Sequence, residues 1–115
     1  MPRFVILHHT FPPGHALAAH FDVMFECGPA LRTWAVAEAI DLGNRQPARQ
    51  LADHRPFYLD YEGPVSNDRG QVTRVDAGQY ALLADTPDCW TALLSGSGLQ
   101  GTIHIDRDNA ADQRW

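Results

Sequence analysis

The chain contains no lysine. Its cationic side chains are nine arginines, set against eleven aspartates and three glutamates, and the formal net charge of the 115 residues is −5. A broad basic surface that holds nucleic acid by charge alone is therefore excluded, because neutralising many phosphates needs clustered Lys and Arg. A local cationic site is not. Cysteine is equally sparse: Cys27 and Cys89 form no CxxC or CxC pattern. That removes thiolate zinc motifs and a disulfide framework, and leaves two buried or incidental thiols or one long-range disulfide. No run approaches the roughly 18 apolar residues that a membrane-spanning helix needs. The opening Met-Pro-Arg-Phe-Val-Ile-Leu-His-His has a four-residue apolar stretch before two histidines, too short for a signal peptide. A cytoplasmic protein with no membrane partner is expected.

What remains is ample for a fold. Apolar residues make up 44% of the chain, with eleven aromatics among them, enough for one hydrophobic core and one domain spanning residues 1–115. Disorder as the main state is excluded. The six histidines are the first pointer toward metal or phosphate chemistry.

Eight prolines and nine glycines are spread along the chain and separate short β-rich runs, the pattern of a small all-β protein. Phe4 to His9 reads as a strand, ended by Phe11-Pro12-Pro13-Gly14, which cannot continue a ladder. His20 to Glu26 is the clearest strand, because Phe21, Val23 and Phe25 alternate with His20, Asp22, Met24 and Glu26. Cys27-Gly28-Pro29-Ala30 turns the chain back into Leu31 to Ala37. A helix over Thr33 to Ile40 is the alternative there, since Ala and Glu favour it. Arg49 to His54 and Tyr58 to Glu62 are expected as short extended pieces. Gln71 to Asp76 and Gln79 to Leu83 are expected as a hairpin about Ala77-Gly78, and Cys89 to Ser95 and Gly101 to Arg107 as another about Gly96-Ser97-Gly98. The expected fold is all-β: a small closed or partly open β-barrel of about six to eight strands, with short helices or none. Trp34, Trp90, Phe21, Phe25 and Val36 are its candidate core.

Chemistry concentrates on the second strand. Period-two alternation points His20 and Asp22 the same way, about 7 Å apart at the backbone. One imidazole and one carboxylate need a third ligand to hold a divalent ion, and His8-His9 closes the first strand nearby. Strand parity turns His8 and His9 to opposite faces, so only one of them can join. Two nitrogens and an oxygen with open positions suit Mn²⁺ or Zn²⁺ in a catalytic site.

Taken in order, Phe4-Val5-Ile6, His20-Phe21-Asp22, Trp34-Ala35-Val36, Asp53-His54 with Tyr58 and Tyr61-Glu62-Gly63, then Gly70-Gln71-Val72 with Asp76-Ala77-Gly78-Gln79-Tyr80, the chain resembles the 3′-phosphoesterase domain of bacterial DNA ligase D. That resemblance implies a β-barrel that binds Mn²⁺, with Zn²⁺ the alternative, and trims the 3′ ends of DNA. It removes a terminal ribonucleotide and then a 3′-phosphate. The implied ligands are His20, Asp22 and either His8 or His9; His54 and Tyr58 would contact the scissile phosphate. A DNA ligase or another repair protein is the implied partner.

Several of the family's cations are missing. Met24 stands in place of an Arg two residues after the ligand Asp, Glu38 in place of a Lys, and Gln46 in place of another Arg. Arg45, Arg49 and Arg55 lie close by in sequence, and Arg49, Arg55 and Arg74 are the candidates to meet a phosphate. Three readings follow: a divergent phosphoesterase, a binding module of the same fold with weakened or lost catalysis, and a metal enzyme of another class such as a cupin-like barrel. The last lacks its usual His-x-His signature. Asp53 is a candidate to orient His54, and His15 could enter the site from its loop.

Overall fold

The computed structural model describes residues 2–14, 18–43, 46–65 and 70–106. The expectations attached to His15, Arg45, Arg107 and the tail to Trp115 lie outside them. Eight strands form a single antiparallel sheet: β1 (Arg3–Thr10), β2 (His20–Cys27), β3 (Ala30–Val36), β4 (Ala48–His54), β5 (Gly63–Pro64), β6 (Gln71–Thr86), β7 (Cys89–Gly96) and β8 (Gln100–Asp106). Their order is β4-β3-β2-β1-β6-β7-β8, with β5 paired to the start of β6, and the sheet curls into a half-barrel. The helical part of the described chain is one 3₁₀ turn, Pro56–Leu59.

β1 is apolar without alternation from Phe4 to Leu7 because it lies at the centre of the sheet and is buried on both faces. Its even residues Phe4 and Ile6 join Phe25, Trp34, Tyr80, Trp90 and Leu94 in the larger cluster, which draws on strands from both ends of the sheet and fills the curl. Its odd residues Val5 and Leu7 join Met24, Leu31, Leu59 and Val72 on the opposite face. The 3₁₀ turn covers that second cluster. Pro56 presets the backbone at the turn's first position, and Leu59 is driven into the cluster. This corrects the extended piece expected from Tyr58. The helix considered over Thr33 to Ile40 does not form; Trp34 and Val36 are inward residues of β3. Cys27 and Cys89 are free thiols.

The hairpin expected at Ala77-Gly78 is also absent. β6 runs unbroken from Gln71 to Thr86 and turns only at Pro87-Asp88. Gly78 is required for a different reason: it pairs with Gly96 of β7, where a Cβ would meet the Ser95 carbonyl oxygen at 2.1 Å. Asp76, next to this close approach, belongs to another turn. Its carboxylate is 6% exposed and accepts the backbone N–H groups of Ala77 (2.9 Å), Ser97 (2.8 Å), Gly98 (3.1 Å) and Leu99 (2.7 Å). It therefore closes the β7–β8 loop from one strand away.

Burial pushes the Asp76 carboxyl up, and the N–H groups of Leu99, Gly98, Ala77 and Ser97 outweigh it and hold it below the ordinary carboxylate value. A depressed folded value contributes stability above the unfolded value that is lost as pH falls through the folded one. Asp76→Ala, which strands several buried donors, should lower unfolding free energy by about 2–4 kcal/mol in urea melts. In Asp76→Asn the acid-linked loss seen in the wild type below about pH 4 should shrink.

Candidate metal centre and its cleft

The centre is set by register. β1 and β2 pair antiparallel with His9 opposite His20 and Leu7 opposite Asp22, so His9, His20 and Asp22 share one face. His8 pairs with Phe21 and turns to the other side, where the two rings stack at 4.4 Å and 9°. One ligand atom from each of His9, His20 and Asp22 lies within 4.8 Å of the others.

Asp22 sits between the imidazoles and is 2% exposed. Its Oδ1 is 3.1 Å from His20 Nε2 and its Oδ2 is 3.6 Å from His9 Nδ1. His20 Nδ1 is 3.1 Å from the Ala18 carbonyl oxygen. A carbonyl can only accept, so Nδ1 carries the hydrogen and a neutral His20 turns its Nε2 lone pair toward the carboxylate. Asp22 Oδ1 is buried and has no properly directed hydrogen bond despite that short separation. A His20 lone pair aimed at a buried carboxylate calls for positive charge between the two, and an imidazole oriented through its other nitrogen is the usual state of a metal-bound histidine. The three donors fit a divalent cation. Burial raises the Asp22 carboxyl, and its contacts with His20 and His9 more than offset this, leaving it below the ordinary value. The same contact with Asp22 raises His20.

Beside the three donors lies an open cleft of about 270 Å³, lined by His9, Asp22, Met24, Ala52, Asp53, His54, Arg55, Tyr58, Val65 and Val72. His54 reaches it through a β-bulge. Leu51 of β4 pairs with Thr33 of β3, but His54 pairs with Leu31, so Ala52 and Asp53 together oppose Arg32. Without the extra residue His54 would face away from Arg49 and Leu51; with it, all three share the side of the centre. Asp53 does not orient His54 in the described structure. The Ala52 carbonyl does, 2.8 Å from Nδ1, which fixes the hydrogen there and leaves Nε2 for chemistry. Tyr58, carried by the 3₁₀ turn, packs edge-on to His54 at 5.8 Å. Arg55 lines the cleft. Arg49 stands outside its lining, exposed, near enough for its charge to act on His20. Arg74 lies away from the cleft lining, and its charge is felt at Asp60.

The family model for the DNA ligase D 3′-phosphoesterase domain matches residues 13–107 of the 115. The chain belongs to the DNA ligase D 3′-phosphoesterase domain family. No curated protein sequence matches it. The family match contains His20, Asp22, His54 and Tyr58 and begins after His9, which reaches the centre through strand pairing alone.

Two of the three residues that stand where the resemblance places cations, Met24 and Gln46, have structural occupations here. Met24, 1% exposed, belongs to the second apolar cluster and floors the cleft. Gln46 accepts the Glu38 N–H at 3.0 Å and donates to the Glu38 carbonyl at 2.9 Å. Its amide extends the β3–β4 ladder beyond Pro47, which has no N–H to give. An arginine could not do this, because it has no acceptor. Sequence reasoning missed Phe11, whose ring stacks on His9 at 4.4 Å and lies 5.8 Å from that of His20. An aromatic opening the Pro-Pro-Gly loop was its available mark. The Ala52 carbonyl has no such mark, being backbone.

The two adjacent histidines should separate cleanly. In Mn²⁺ titrations followed by calorimetry, His9→Ala and Asp22→Ala should each weaken binding about 10–100-fold or more, whereas His8→Ala should leave it within about twofold. Loss of binding on changing His8 with retention on changing His9 would reject the assignment.

Proposed function

We propose that this chain is a divergent metal-dependent phosphoesterase that acts on 3′-phosphate or 3′-ribonucleotide ends of DNA in repair. The observation that carries the reading is the convergence of His9, His20 and Asp22, two of which, His9 and Asp22, line a cleft together with His54, Tyr58 and Arg55. Mn²⁺ is the proposed cofactor, and Zn²⁺ the other ion the donor set accepts. When bound, the ion would supply Lewis-acid stabilisation of charge on a phosphoryl oxygen. His9, His20 and Asp22 would hold it. His54, with Nδ1 committed to Ala52, would hold or deliver a proton through Nε2 at the leaving oxygen. The Tyr58 hydroxyl would donate to a phosphoryl oxygen as its charge grows, and Arg55 would bind the phosphate from the cleft wall.

The partner implied is a nucleic-acid 3′ end, held locally, with a DNA ligase or another repair protein acting alongside in the cytoplasm. A second reading is favoured by Met24: the position two residues beyond Asp22 offers the cleft a thioether in place of a guanidinium. A domain that binds metal and 3′ ends without turning them over would show that composition.

Turnover decides between them. Mn²⁺-loaded protein should release inorganic phosphate from a 3′-phosphorylated oligonucleotide, and Asp22→Ala should not. Tyr58→Phe should lower kcat by about 100-fold, the loss expected for one transition-state donor. Wild-type release no faster than that of Asp22→Ala would reject the enzyme and leave the binding module.

A further inference from the structure

We infer that Phe57 is a stacking platform for the nucleobase adjoining the reacting phosphate, so that the site takes nucleotides in preference to base-free phosphoesters. The inference rests on the phosphoesterase reading and adds a substrate determinant to it. Large apolar side chains exposed among the described residues are Val75, Leu82, Leu83 and Leu93 on β6 and β7, and Phe57 on the 3₁₀ turn. Phe57 alone of these is aromatic, and alone lies next to cleft-lining residues, with Arg55 and Tyr58 on either side of it in the chain.

The ring is 46% exposed yet held in place. Tyr58 at 4.3 Å and Tyr61 at 5.1 Å support it, and the turn beneath is anchored by buried Leu59. An aromatic with few ways to move offers contact area at low entropic cost. The Arg55 guanidinium carbon stands 5.1 Å from the ring centroid, and Arg55 also lines the cleft. An exposed cation–π contact is weak, whereas stacking of a base on an aromatic is stronger and tolerates any base. A base arriving at Phe57 therefore replaces the weaker contact and frees the guanidinium for the phosphate.

The test uses the full chain and a 3′-phosphorylated single strand with 2-aminopurine as its terminal base, titrated in EDTA so that stacking is read by fluorescence quenching without turnover. Wild type should quench, and Phe57→Ala should lose the quenching and bind about tenfold or more weakly. Phe57→Trp should retain both. Replacing the terminal base with an abasic residue should weaken wild type by a similar factor and leave Phe57→Ala unchanged. Should Phe57→Ala melt at lower temperature, Phe57→Leu keeps the apolar volume without the π face and should show the same loss. Equal affinity of wild type for base and abasic ends, or absence of binding, overturns the inference. Stacking without Mn²⁺-dependent hydrolysis keeps it and rejects catalysis; hydrolysis that ignores both Phe57 and the base keeps catalysis and rejects it.

Discussion

A buried carboxylate between two imidazoles is the constraint around which this half-barrel is organised. Asp22 is almost wholly removed from solvent, and an uncompensated charge there would cost several kcal/mol. Its contacts with His20 at Oδ1 and His9 at Oδ2 outweigh that burial and hold the carboxyl below its ordinary value. Protons on the imidazoles or a divalent ion between the three groups can meet the need. The Ala18 contact serves either state: it holds a hydrogen on His20 Nδ1 in both, and when the ring is neutral the Nε2 lone pair is turned inward, where an ion could take it. Phe11 then covers His9 on the outer side, reducing the water that would otherwise screen the cluster.

Meeting that demand takes several elements whose side chains agree on one face. The β1–β2 pairing settles His9 against His8. The bulge at Ala52-Asp53 settles His54, and a second irregularity between Ile6 and Leu7 changes the parity of β6, so that Val72 borders the cleft while Asp76 and Tyr80 face the larger cluster. A side-chain period of two makes each single-residue insertion a switch of face. The same long strand can thus serve the centre with one half and the curled core with the other.

The legible parts were those governed by that period alone. β2 declares itself through Phe21, Val23 and Phe25, and its polar alternates His20 and Asp22 identify the centre without any partner strand. β7 and β8 are equally plain, because Gly96-Ser97-Gly98 does separate them. The errors arise where one residue type answers to two physical needs. Gly78 looks like a turn and is a point of close backbone approach; Asp76 looks like its companion and closes a loop on another strand. The stretch at Tyr58 looks extended, but Pro56 and the need to bury Leu59 wind it into a 3₁₀ turn. The face of His54 was illegible because a bulge depends on both strands of a pair, and the choice between His8 and His9 required the register with His20.

The acidic, lysine-free composition acquires a local meaning from these positions. Gln46 is committed to the backbone of Glu38, and Met24 to the apolar floor, so neither place is open to a cation without loss of a structural contact. Positive charge at the cleft comes instead from Arg55, which among the described residues is the arginine in its lining, with Arg49 acting from outside. One guanidinium beside an ion suffices for one terminal phosphate and is far too little for a duplex backbone. Under the proposed function, affinity must then come from contacts that do not scale with charge, and the exposed ring of Phe57 next to Arg55 is where the chain supplies apolar surface beside that phosphate. Under that function, a site built this way would read the end of a strand and be indifferent to its length.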